Sequence, residues 1–462
     1  MRRQRGAGQV PGRLGRGQSF AGRAANPLRP TVFRADSSQL AGLYPFLNGA
    51  SLPPMGAYLG WNTLTLEAFA AHPAAWVSAG LTTNANVLVT GVPGAGKSAL
   101  IKALVFRLMT FGVRTIVLGD LKGEYTALGR HLGTAPLILG PGHPTRINPL
   151  DAGPARQRPG SVEDSLGEQA DIHRRRLTLL AALIGVRLMR RLTPLEESAL
   201  SVAIRANTGP DADSAAARPP TIGQVHHSLR TPDARAVVDL GLRGVDDALD
   251  RTEDITHALA NMLDGSLGGI FDGPSTSGLD PSAPLQSVDI SRLSGRSEDT
   301  IAMVLACLST WGHAAVEASG SVTAVVRDEA WRQLRFPALV RKVDADLRLQ
   351  RSEGTIQLLA THRLSDFEAV GAAGSEQVAI AKELVGSFDT RVCLAQDTAP
   401  LAMTKQTIGL TDAECALIAS WGRVHRGRAL WKVGRAGSFP VQLVLSPLER
   451  SLFHTDERME VA

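Results

Sequence analysis

The chain has 462 residues, 44% hydrophobic and 20% charged, enough to bury the core of one large domain or two ordinary ones. No run approaches the ~18 consecutive apolar residues of a membrane span, the Met1-Arg2-Arg3 start lacks the apolar segment of a secretion signal, and 5% aromatics give no stacking surface for single-stranded nucleic acid. The net charge of +5 is unevenly placed: residues 1–30 hold seven Arg and no acid, and removing those seven charges leaves the rest at −2.

That Gly/Arg/Pro stretch, residues 1–30, reads as a disordered basic tail that cannot form a packed core. It is either a solvated extension or a salt-sensitive contact for nucleic acid or anionic lipid headgroups. Residues 31–80 read as a leader without a strong period, opening the N-terminal part of a nucleotide domain that runs to 154. Residues 86–90 (Asn-Val-Leu-Val-Thr) are of strand type, and a helix is expected from Ser98 to about 110. A second buried strand, Val113 to Gly119, ends at Asp120. Strand, helix, strand is a βαβ unit, which predicts a mostly parallel sheet covered on both faces.

Residues 155–268 have a different texture and read as an all-helical insertion. Leu177–Leu188 is helical. The next helix has Thr193 as N-cap, Pro194 at its first position and Glu196 and Glu197 in its first turn. A loop is expected at 208–220, further helices at 221–230 and 253–264, and a Gly/Pro/Ser loop at 271–284. The C-terminal part of the nucleotide domain, 269–462, then alternates: helix 298–317, strand 321–327, helix 334–350, strand 355–360, helix 376–386, strand 389–395, helix 411–420, and strands 427–433 and 440–445.

Between the first strand and helix, Gly91-Val92-Pro93-Gly94-Ala95-Gly96-Lys97-Ser98 is a full match to the phosphate-binding P-loop. The glycines turn backbone N–H groups toward a phosphate chain, and Ala99 continues the helix whose N-terminus receives the anion. Lys97 would reach the β- and γ-phosphates of ATP, and Ser98 would offer its hydroxyl to Mg²⁺. Asp328, at the end of the 321–327 strand and 230 residues after Ser98, is the second candidate for Mg²⁺; Glu329 is the candidate base that polarises water. Arg327 is a costly charge on that buried strand unless it is partnered. His362, at the end of the next strand, either senses the γ-phosphate and orients water or is an ordinary hydrogen-bonded strand-end histidine. The stretch Asp120-Leu-Lys-Gly-Glu-Tyr125 places acids near the same sheet edge. The turn Arg146-Ile-Asn-Pro-Leu-Asp151 either shapes the pocket or is purely structural. Cys307, Cys393 and Cys415 show neither disulfide nor zinc spacing, and are expected as reduced cytoplasmic thiols.

Taken together, the P-loop with its strand, Asp120–Tyr125, Asn148-Pro-Leu-Asp151, Asp328-Glu-Ala-Trp331 and Thr361-His-Arg-Leu-Ser-Asp366 resemble the VirB/TraC-type motor ATPases of conjugation and type IV secretion. These belong to the HerA–FtsK division of P-loop NTPases, and the resemblance spans residues 40–460. It implies a RecA-like α/β fold with a helical insertion, Mg²⁺-dependent ATP hydrolysis and a hexameric ring. It also implies membrane-embedded secretion or conjugation channel components as partners, at the cytoplasmic face of the membrane. Two features depart from it: only the basic tail precedes the motor, where a docking domain is usual, and His362 stands where Gln is usual. Ring ATPases complete their site with an arginine from a neighbour. The candidates are Arg348, Arg351, Arg426 and Arg428, of which Arg428 fits the family pattern best. The competing readings are a double-stranded DNA translocase or coupling ATPase of the same division, and a scaffold that binds nucleotide without hydrolysing it.

Overall fold

Short apolar runs separated by helices lie side by side and parallel over the larger part of the sheet. The structure, a computed structural model, describes residues 16–18, 21–24, 52–151, 162–208, 219–265, 267–328, 331–334, 336, 338–340, 342–344, 355–362, 364, 383–421 and 426–453. Glu329, Arg348, Arg351, most of the 208–220 loop and most of the helices expected at 334–350 and 376–386 lie outside the described residues. The chain divides into a unit of Met1–Asn48 and a unit of Gly49–Ala462. In the first, Arg16–Gln18 (β1) and Ala21–Ala24 (β2) pair antiparallel. The expected structureless tail therefore contains a short antiparallel strand pair.

In the second unit, Ala57–Asn62 (β3) and Ala68–Ala71 (β4) form a hairpin followed by helix α1 (Pro73–Ser78). The stretch read as an unpatterned leader thus contributes two strands to the sheet. Next come β5 (Val87–Thr90), helix α2 (Lys97–Leu108), β6 (Arg114–Asp120), helix α3 (Thr126–His131) and β7 (Leu137–Ile138). Six helices follow: α4 (Val162–Leu188), α5 (Pro194–Ala206), α6 (Ile222–Arg230), α7 (Ala234–Asp239), α8 (Val245–Arg251) and α9 (Glu253–Asp264). Thr193 caps α5 with a full capping box through Glu196. Helices α7 and α8, of six and seven residues, were not expected; each is too short for a clear apolar period.

The chain returns to the sheet through β8 (Leu285–Asp289), which sequence reading placed in no element. Helix α10 (Glu298–Ser319) and β9 (Thr323–Arg327) follow, then α11 (Trp331–Leu334), β10 (Ile356–Thr361), β11 (Thr390–Leu394), α12 (Thr398–Ile408) and α13 (Asp412–Trp421). Strands β12 (Arg428–Val433) and β13 (Gly437–Leu443) and helix α14 (Pro447–Phe453) complete the fold. Among the described residues, α10 is the one helix long and apolar enough to cross a membrane, and 78% of its most apolar stretch is buried inside the fold.

The strands make one eleven-stranded sheet, ordered β4-β3-β13-β12-β11-β5-β10-β9-β6-β8-β7. From β11 to β7 every pairing is parallel; from β11 outward to β4 every pairing is antiparallel. Alternate residues of one strand enter opposite cores. Val117, Ala324 and Val326 join the core that holds α2, whereas Ile116, Leu118 and Val325 join the core that holds α10 and the inserted helices. The P-loop strand β5 lies between β10 and β11, away from either edge. Parallel strands open their carboxyl ends on one side, so β5, β10, β9 and β6 bring their following loops to a common edge.

Candidate nucleotide site

Each polar residue of the candidate site sits immediately beyond an apolar strand. The register sets Thr361 of β10 level with Thr90 of β5, so His362 and Gly91 leave the sheet side by side. Gly91 has no room for a side chain: a Cβ there would stand 2.8 Å from the Leu394 Cβ. Gly96, the N-cap of α2, has φ +102°, in the left-handed region that glycine tolerates, and a Cβ there would crowd the Gly427 backbone. The loop is tied to its neighbours by backbone bonds, Val92 N–H donating to Ala395 O (3.0 Å) and Gly427 N–H to Ala95 O (3.1 Å). Pro93 and Gly94 form its exposed tip, while Ser98 and Ala99 are half-buried in the first turn of α2. This is a backbone cradle at a helix N-terminus, with Lys97 beneath it, and its donor set fits a nucleotide phosphate chain.

Lys97 is folded back on the loop. Its Nζ donates to Gly91 O (2.6 Å) and Val92 O (3.1 Å) and lies 3.0 Å from His362 Nδ1. Sequence alone directs both Lys97 and His362 toward the γ-phosphate; the structure puts the two side chains in contact. Asp328 follows Arg327, whose register partner on β10 is Leu359, and is half-buried at the same edge. Arg327 is 4% exposed; its guanidinium donates to Gln357 Oε1 (3.2 Å) and to Ser309 Oγ, which supplies partners for the buried charge.

Two further groups reach this region. Asp120 ends β6 and accepts from Lys122 N–H (3.2 Å) and Tyr125 N–H (2.8 Å), fixing the turn that carries Glu124. Burial raises the Asp120 carboxyl above its ordinary range, against the lowering effect of those N–H bonds. Lys102, on α2, is fully buried and pairs with Glu124 at 3.3 Å. Sequence reading missed this pair. The signal was a lysine set among Leu100, Ile101, Ala103, Leu104 and Val105, where nothing but a partner makes a charge tolerable.

The remaining candidates lie apart or at the rim. Arg428 opens β12 next to Gly427, and its Nε donates to Gln442 Oε1 (3.0 Å), so it stands beside the P-loop of its own chain. Asn148 is fully buried; its N–H donates to Ser275 Oγ (3.0 Å) and its side chain to Pro220 O (2.9 Å), while it accepts from Leu150 N–H (3.1 Å). With Arg176 donating to Leu150 O, this turn joins the inserted helices to the 271–284 loop, the structural one of its two readings. Cys307 and Cys393 are buried free thiols, Cys415 is a half-buried one, and no metal-ligating cluster of His, Cys, Asp or Glu occurs among the described residues.

A mostly parallel sheet with a P-loop at a central strand end and an acid beyond the next strand but one defines the P-loop NTPase fold. Solved structures share this fold. VirB4 of Thermoanaerobacter pseudethanolicus superposes with a TM-score of 0.68 at 20% identity, over 87% of this chain and 99% of that one. The bacterial conjugative coupling protein TrwB, lacking its first 70 residues, gives 0.51 at 14% identity over 78% of this chain and 85% of its own. TrwB in complex with ADP and Mg²⁺ gives the same TM-score, identity and coverage. No family model matches the chain, and no curated protein matches it.

Proposed function

We propose that this chain is an Mg²⁺-dependent ATP-hydrolysing motor of a conjugative or type IV secretion apparatus. The observation that carries the reading is the convergence of Lys97, Ser98, His362 and Asp328 at one edge of the sheet, within a fold shared over nearly the whole length of VirB4. Bound ATP would supply the phosphoanhydride bond, and Mg²⁺ would offset its charge. Lys97 would exchange its contacts with Gly91 O and Val92 O for phosphate oxygens, Ser98 and Asp328 would hold the metal, and Glu329 would take the proton of water. His362, beside Lys97, would orient water or sense the γ-phosphate, and Arg428 would stabilise the developing charge. The proposed working form is a homo-hexamer at the cytoplasmic face of the membrane, with channel components as partners and the basic tail touching nucleic acid or lipid headgroups.

The similarity to TrwB favours a second reading, a DNA-coupling ATPase. Steady-state ATPase measured against protein concentration, with and without duplex DNA, separates the two. A secretion motor shows specific activity that rises with concentration and is indifferent to DNA; strong DNA stimulation favours the coupling reading, and no turnover at any concentration leaves the non-hydrolysing scaffold. Arg428→Ala should lower turnover by about 10³-fold with nucleotide binding retained. Mixing it with Glu329→Gln protein restores activity if the arginine serves a neighbour, and restores none if it serves its own loop.

A further inference from the structure

Lys102 lies four residues after Ser98, so the two share one face of α2, Ser98 at the phosphate end and Lys102 one turn deeper. Its side chain has no solvent exposure. Glu124, 3.3 Å away, is itself 9% exposed, and the ammonium stands 5.5 Å over the ring of Tyr125. Both partners belong to the turn after β6, and β6 pairs with β9, the strand that leads to Asp328. Burial pulls the Lys102 ammonium below the ordinary lysine range; Glu124, then Asp120 and Asp328, pull it back. Tyr125 feels Asp328, Asp120 and Glu124 as well, and burial holds its phenol neutral. One buried cation, on the helix that begins at the P-loop, therefore pairs with Glu124 and feels Asp120 and Asp328, while the exposed Lys122 stands 3.8 Å from the other Glu124 oxygen.

A buried ion pair adds little stability over an apolar pair of the same shape. The cation's effect on its surroundings is larger. Carboxylates crowded at neighbouring strand ends repel one another and collect metal ions without selectivity unless a fixed positive charge offsets them.

Resting on the nucleotide-site reading above, we propose that Lys102 is a positioning residue for the metal end of the site. Its charge offsets Asp120 and Glu124, so that Asp328 alone is left to meet the Mg²⁺ brought in by the nucleotide. Lys102 touches neither metal nor phosphate in this role; it acts through the carboxylates.

The test uses Mn²⁺ as the probe, with free Mn²⁺ read by electron paramagnetic resonance on the full chain, with and without ADP. Lys102→Met leaves one negative charge uncompensated and should tighten Mn²⁺ binding in the absence of ADP on the order of 10-fold. Glu124→Gln leaves one positive charge and should weaken Mn²⁺ binding in the presence of ADP by a similar factor. The double variant Lys102→Met/Glu124→Gln has no ion pair but restores the charge balance, so both affinities should return to within about 2-fold of the parent. A purely structural pair would move both single variants downward together and leave the double variant no better. That result overturns the proposal. If Lys102→Met does not fold, Glu124→Gln and the double variant carry the test: a double variant as weak as Glu124→Gln overturns it. If the parent chain shows no ADP-dependent Mn²⁺ binding, the nucleotide-site reading fails, and this proposal with it.

Discussion

The two halves of the sheet use the same backbone for opposite ends. In the parallel half, β11 to β7, polar side chains gather beyond the strand ends, and the central strands β5, β9 and β10 are buried throughout. In the antiparallel half, β12, β13, β3 and β4 carry an aromatic cluster. Phe69 lies 5.2 Å from Trp431 and 6.0 Å from Phe439, and Trp76 lies 6.3 Å from Trp431. That half buttresses the site, which it approaches at the start of β12, beside Arg428. Gly427 holds the P-loop at Ala95, and Arg107 at the end of α2 is clamped by Glu449 through two bonds of 2.6 and 2.7 Å. Parallel strands aim their carboxyl ends one way and collect chemistry there; an antiparallel extension splits its ends between both edges and contributes packing.

This contrast can be broken. Trp431 is 1% exposed, and Trp431→Ala removes the centre of the aromatic cluster, which should cost about 3–5 kcal/mol of stability. Nucleotide affinity per folded molecule should stay within about 3-fold, because the cluster touches no strand end of the parallel half. Chemical unfolding paired with titration of a fluorescent nucleotide reads both. A large loss of affinity in the still-folded variant would erase the division between the halves.

A smaller effect is expected in the inserted helices, remote from either function. Hydrogen bonds from the Arg190 guanidinium hold the Glu196 carboxyl at about 2, below its ordinary value of 4.5. A depressed folded-state value means the contribution is complete above pH 4.5 and is lost as pH falls toward 2. Arg190 is 37% exposed, so solvent screening limits the term to about 1–2 kcal/mol. Urea unfolding of the parent and of Glu196→Gln should differ by that amount at pH 7 and converge near pH 2; a constant difference across the range would assign Glu196 to packing alone.

What could be read from the sequence follows from range. The P-loop, the β5–α2–β6 unit and the Thr193 cap are encoded within a few residues, and all are present. The contact of Lys97 with His362 comes from the pairing of β10 with β5, which no local pattern encodes. Strand β8 escaped because Leu285-Gln-Ser-Val-Asp289 is five residues long and carries three polar ones. The β3–β4 hairpin escaped because its burial depends on β13, which lies almost four hundred residues further along the chain. The Lys102–Glu124 pair is likewise tertiary: neither residue announces the other, and only the placement of a charge on an apolar helix hints at it.

The most direct test of the site is to compare Lys97→Ala with Glu329→Gln in one pair of assays, Mg·ATP binding and single-turnover hydrolysis. Lys97→Ala should lose binding, because it removes the point charge on the β- and γ-phosphates. Glu329→Gln should bind Mg·ATP as the parent does, while hydrolysis slows by about 10²-fold or more. Unchanged binding in the first variant together with unchanged hydrolysis in the second would contradict an ATP-hydrolysing site at this edge of the sheet.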